Sequence, residues 1–182
     1  ERDISELIWP TLGTSLHHLF QETAEKQGDD VVSEERLFVD VEGWKISGAI
    51  DLQQIEDDGV IISDYKMTSV WSVIFDKSEW HKQLNAYAWL VERAKGIDVK
   101  ALNIVAVLRD WKQREAELKG KDYPQSPIVV IDIPLCFSIS IQSDLVAVSI
   151  LLDLTAPAVL IAPPINTIIV IFFTEIIFTN LN

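Results

Sequence analysis

The sequence predicts an α/β fold, a central mixed sheet flanked by helices, and three observations lead there. Apolar, β-branched runs bounded by turn signals alternate with stretches of helical period. The order reads helix, three antiparallel strands, helix, strand, strand. With 48% hydrophobic residues in 182, the chain can bury one sizeable core. It carries 28 Asp plus Glu against 15 Lys plus Arg, a net charge of −13, with 7 Gly and a single cysteine, Cys136. This composition excludes collagen-like, disulfide-stapled and wholly disordered chains. One cysteine also excludes a four-thiolate zinc site and a cysteine-bound iron–sulfur cluster, and it points to a reducing compartment. No basic-then-apolar leader follows Glu1, so no signal peptide is expected, and a native start upstream of Glu1 stays open.

The first element is a helix over Thr11–Gln27. Leu12, Leu16, Leu19, Phe20 and Ala24 form its apolar stripe, Pro10 stands where a helix can begin, and Gly28 follows its end. Strands are expected over Arg36–Val41, Trp44–Ile55 and Val60–Met67, joined by turns at Glu42-Gly43 and Asp57-Asp58-Gly59. Ser78–Lys95 is the strongest helix signal: Ser78 as cap, Trp80, Leu84, Tyr87, Ala88 and Val91 as buried face, Gly96 as stop. Two further strands, Ala101–Trp111 and Pro127–Leu135, flank the charged segment Lys112–Lys121.

Asp51 falls on the second strand, and Asp64 and Lys66 on the third. Residues i and i+2 of a strand share a face, so Asp64 and Lys66 project together, and the hairpin brings Asp51 within reach. Two carboxylates beside an ammonium suit a hard divalent cation whose bound water can become a nucleophile. Taken alone, an acid and a lysine flanking one strand residue are more often a solvated strand face.

Four segments occur around them in order: Gly13-Thr14-Ser15-Leu16-His17, Gly48-Ala49-Ile50-Asp51, Asp64-Tyr65-Lys66 and Trp80-His81-Lys82-Gln83-Leu84-Asn85-Ala86-Tyr87. Together, over Leu12–Leu135, they resemble the RecB-like branch of the PD-(D/E)XK nuclease superfamily, above all the compact forms of phage and bacterial recombination and of CRISPR-associated exonucleases. The resemblance implies a restriction-endonuclease-like core and hydrolysis of DNA phosphodiesters, single- or double-stranded, with Mg²⁺ or Mn²⁺. It implies His17, Asp51 and Asp64 as metal ligands with the carbonyl of Tyr65, Lys66 as the catalytic lysine, and Gln83 and Tyr87 as residues that position substrate or catalytic centre. A cytoplasmic setting and a recombination or helicase partner go with it. This chain departs from the pattern in having Asp64 where Glu is commoner, in Gln21 where relatives have Glu, and in lacking the cysteines of iron–sulfur-bearing relatives. A nucleic-acid-binding subunit that keeps the fold without turnover is the rival reading.

His18 reads as a surface residue, Trp44, Trp80 and Trp89 as core, and Asp57-Asp58 as turn chemistry. Because −13 repels DNA, binding is expected to draw on two locally basic segments, Lys77–Lys100 and Arg109–Lys121, lining one side of a groove. The nuclease domain is expected over residues 1–135 and an apolar tail over 136–182. From 122 onwards there is no Lys, Arg, Gly, Trp or His, and 13 of the residues are Ile. Three readings of the tail stay open: a frameshifted segment, an extra packing element, or a membrane segment over Leu154–Thr174, against which Pro157, Pro163 and Pro164 count.

Overall fold

The structure, a computed structural model, describes residues 4–24, 26, 28, 30–41, 44–75, 77–136 and 176–180. Helix α1 (Ile4–Ala24) precedes strands β1 (Val31–Val41), β2 (Trp44–Glu56) and β3 (Gly59–Thr68). A short helix α2 (Val70–Ile74) and the long α3 (Ser78–Lys95) lead to β4 (Val99–Leu108), α4 (Gln113–Lys119), β5 (Ile128–Ile133) and β6 (Ile176–Asn180). The sheet runs β1-β2-β3-β4-β5, antiparallel except for the parallel pair β3–β4, which α3 connects.

Strand β2 is the longest, and its two edges differ. One edge pairs with β1 along the strand. The other pairs with β3 only from Leu52 to Glu56, and with β6 only from Trp44 to Gly48. Among the described residues, Ala49, Ile50 and Asp51 lie in the interval between those two ladders.

Helix α3 packs across the sheet, with every residue from Gln83 to Val91 buried. Leu84, Tyr87, Leu90 and Val91 meet Ile46, Ile50, Ile62, Leu102 and Ile104 in the core. At its C-terminus Gly96 is left-handed, with φ 67° and its N–H on the Glu92 carbonyl at 3.0 Å, the closure that glycine accommodates best. The Lys95 ammonium reaches back to the sheet, meeting the Glu35 carboxylate and Gln53 Oε1, while Gln53 Nε2 donates to Glu35. Near the other end, buried Asn85 donates to the carbonyls of His81 and Pro134 and accepts the N–H of Cys136 at 2.7 Å, tying down the chain beyond β5. At the carboxyl ends of β3 and β4, Arg109 N–H donates to the Thr68 carbonyl and Asp110 Oδ1 accepts the first amide of α2, from Val70.

Several expectations are corrected. Helix α1 begins at Ile4, so Pro10 lies inside it and not at its start; proline's φ is already helical, and the loss is one N–H bond. Its seated face carries Leu16, His17 and Phe20, while Leu12 and Leu19 are exposed. Those two leucines lie about 100° round the helix from the seated face. Strand β1 begins five residues before Arg36, at Val31. Lys77, not Ser78, is the N-cap of α3 and makes no side-chain cap. The charged segment after β4 contains the helix α4, and α2 follows β3 directly. Apart from Ile176–Asn180, which forms β6, the tail beyond Cys136, including the Leu154–Thr174 window, lies outside the described residues.

Candidate active site

Asp51 and Asp64 sit where β2 and β3 part. Leu52–Ser63 is the end pair of their ladder, so the next residue on each strand is one of the two acids. Asp51 is 2% exposed and Asp64 1%. Beyond the ladder, the N–H of Tyr65 donates to Asp51 Oδ2 at 2.7 Å, a side-chain carboxylate serving a backbone donor that needs an acceptor when buried.

Helix α1 delivers His17 to the same oxygen. Phe20 stacks on the Tyr65 ring at 4.3 Å, and His17, three residues earlier on that face, meets the ring edge-on at 6.2 Å. His17 Nδ1 then lies 3.5 Å from Asp51 Oδ2. The aromatic docking and the histidine position are thus one feature of α1.

Asp64 turns toward α3. Its Oδ2 meets Lys66 Nζ at 2.8 Å, the i, i+2 pairing expected of the strand. Its Oδ1 accepts Gln83 Nε2 at 3.3 Å, and that amide also donates to the Tyr87 hydroxyl at 2.8 Å. Burial pushes the Asp64 carboxyl above the usual range; Lys66 and then His17 pull it down, and Glu34 adds to the rise. Burial followed by the charge of Asp51 raises Tyr65 as well.

Gly48 joins two of the motifs mechanically. A Cβ there would fall 2.8 Å from Leu90 Cδ1 and 3.0 Å from Tyr87 Cε1. Only a bare backbone lets α3 come close enough for Gln83 to reach Asp64.

Sequence reasoning passed over Glu34. It stands on β1 with φ 52°, the one non-glycine positive φ among the described residues; a conformation of that kind costs about 1–3 kcal/mol. Its Oε1 lies 3.4 Å from His17 Nδ1. The signal was present, because Val41 pairs with Trp44, and counting back from there sets Glu34 opposite Asp51. The run Ser33-Glu34-Glu35-Arg36 simply does not look like a strand.

Among the described residues, His17, Glu34 and Asp51 bring one donor atom each to within 4.8 Å of one another. Donors sharing a cation at about 2.1 Å lie about 3 Å apart when adjacent, so binding would draw the three side chains together. One imidazole and two carboxylates are a fitting set for a divalent ion of the magnesium–manganese kind. Asp64 stands beside this trio, held by Lys66 and Gln83.

The two basic segments are partly committed within the protein. Lys95 is engaged with Glu35 and Gln53, and Lys100 with Glu56 and Asp58. Lys100 lies at the start of β4 and Arg109 just past its end, a separation of about 30 Å. His18 is exposed and Trp80 and Trp89 are buried, as expected; the Trp44 side chain lies outside the described residues. A surface depression of about 670 Å³ beside Ile74, Tyr123, Ile128 and Val130 holds none of the motif residues.

A mixed sheet parts over two buried acids, and a lysine and a helical histidine converge there. The sequence profile of the PD-(D/E)XK nuclease superfamily matches residues 6–128, and the chain belongs to that superfamily, whose nucleases use divalent metals. The crystal structure of SSO0001 shares the fold with a TM-score of 0.50 at 21% identity, covering 82% of this chain and 61% of that one. The α/β core is accordingly restriction-endonuclease-like, and this chain spans less than two thirds of that structure's length. No curated protein matches the sequence. Among the described residues, no helix is long and apolar enough to cross a membrane.

Proposed function

We propose that the protein is a deoxyribonuclease of the RecB-like branch, an exonuclease that hydrolyses DNA phosphodiesters in cytoplasmic recombination, repair or phage DNA processing, with a recombination or helicase protein as partner. Its nuclease domain spans residues 1–135. The observation that carries the reading is the convergence of Asp51, Asp64, Lys66 and Gln83 at the parting of β2 and β3.

In this reading His17, Asp51 and Asp64 hold Mg²⁺ or Mn²⁺ with the Tyr65 carbonyl. When bound, the ion supplies a water of lowered pKa and charge stabilisation at the phosphate. The ammonium of Lys66, kept beside Asp64 by their 2.8 Å contact, orients the attacking water and faces the charge that develops on the phosphate. Gln83, braced by the Tyr87 hydroxyl, fixes the Asp64 carboxylate and with Tyr87 places the strand to be cut. Burial of both acids excludes bulk water from the reacting side and strengthens each of these contacts.

The test is cleavage of end-labelled single- and double-stranded DNA with Mg²⁺, Mn²⁺ or EDTA. Metal-dependent mononucleotide release, lost in Asp64→Ala and Lys66→Ala, is the expected result. Folded, metal-binding protein that leaves DNA intact would instead make it a binding subunit. Internal cuts would remove the exonuclease assignment.

A further inference from the structure

The donor set at His17 and Asp51 contains a carboxylate from a strand that supplies none of the motif residues. Glu34 is on β1, directly opposite Asp51 in the register given by Ser33–Leu52 and Glu35–Ile50. Residues so opposed lie about 5 Å apart at Cβ. Its Oε1 approaches His17 Nδ1 to 3.4 Å, on the imidazole nitrogen that also faces Asp51 Oδ2 at 3.5 Å.

We infer that Glu34 is a further ligand of the proposed divalent cation, added to His17, Asp51 and Asp64 and clustered with the first two. The inference rests on the metal-dependent reading of the site and adds to it a ligand from β1. Two carboxylates against one imidazole nitrogen repel each other in the absence of a cation, and a divalent ion removes that conflict. Glu34 also adds charge beside Asp64, whose short carboxylate is shared with Lys66 and Gln83. The left-handed backbone at Glu34 is the local cost of aiming the carboxylate. With an imidazole in the set, Mn²⁺ is held more tightly than Mg²⁺.

The test compares the full chain with Glu34→Gln, Glu34→Gly and Asp51→Asn. Mn²⁺ affinity is read by calorimetry and by the electron paramagnetic resonance of free Mn²⁺, and thermal unfolding is read with and without Mn²⁺. Both Glu34 variants should lose affinity about tenfold or more. The metal-free Tm of Glu34→Gly should hold or rise, because glycine relieves the left-handed strain. A merely structural Glu34 gives the opposite pattern, a lower metal-free Tm with wild-type affinity, and overturns the inference. Wild-type affinity in Glu34→Gln with loss in Asp51→Asn removes Glu34 from the set and leaves the centre at His17, Asp51 and Asp64 standing. Absence of Mn²⁺ binding by the wild-type chain would bring down both.

Discussion

Asp51 Oδ2 accepts the Tyr65 backbone N–H at 2.7 Å, at the step where β2 and β3 stop pairing. One carboxylate therefore closes the sheet and faces the histidine of α1 with the same oxygen. Replacement by alanine and by asparagine should separate the two duties. Asp51→Ala leaves the Tyr65 N–H without that acceptor and should lower stability by about 1–3 kcal/mol, whereas Asp51→Asn keeps an acceptor oxygen and should stay within about 1 kcal/mol. Both should cut cleavage about a hundredfold or more, the scale seen when a group that stabilises transition-state charge is removed. Urea unfolding alongside the DNA assay checks this, and an active Asp51→Asn would take Asp51 out of the chemistry.

Gly48 should be intolerant of a methyl group. Gly48→Ala drives a Cβ into Leu90 and the Tyr87 ring, an overpacking worth about 1–3 kcal/mol. Displacing Tyr87 also moves Gln83 off Asp64, so turnover should fall further than stability alone explains. Gly13→Ala is the control: open space surrounds that position within α1, and the helix should gain about 0.5–1 kcal/mol. Thermal melts and steady-state rates of the two variants test the contrast.

Glu35 gives the fold an acid-sensitive latch. Burial alone would raise its carboxyl, but hydrogen bonds from Lys95 and Gln53, with the Lys95 charge, hold it below the ordinary 4.5. A depressed carboxylate contributes stability above its unfolded pKa and loses it as pH falls through the folded value. The advantage of wild type over Lys95→Met should therefore be full at pH 7 and shrink below pH 4.5. Urea midpoints of both proteins at pH 7, 5, 4 and 3 measure it; a gap unchanged down to pH 3 would count against the latch.

Asn85 anchors the exit from β5 through three hydrogen bonds. Asn85→Ala strands the Cys136 N–H and the Pro134 carbonyl and should cost about 2–3 kcal/mol. Hydrogen exchange should show lost protection at Cys136 well before α3 itself opens.

How much of this was legible follows from which signals were strong. The bounds of α3 could be read to the residue, because its apolar stripe is long and Gly96 ends it. The tight turns after Val41 and Glu56 displayed the β1–β2–β3 meander, and the acids and lysine followed from it. Pro10 misled because proline commonly starts helices, and the exposed Leu12 and Leu19 misled because α1 seats itself through Phe20 and His17. Helix α4 is short and polar and shows no stripe. Glu34 was hidden by a charged run, and Lys95 and Lys100 looked available to DNA until their carboxylate partners came into view.

The divided edge of β2 sets an order of events during synthesis. Its upper lip, β3, follows within a few residues, whereas its lower lip, β6, emerges more than a hundred residues later. A nascent chain thus carries half of that edge bare until β6 has emerged, open to pairing with any other extended segment nearby. The opening beside Asp51 is framed on its lower side only once the last described residues have arrived.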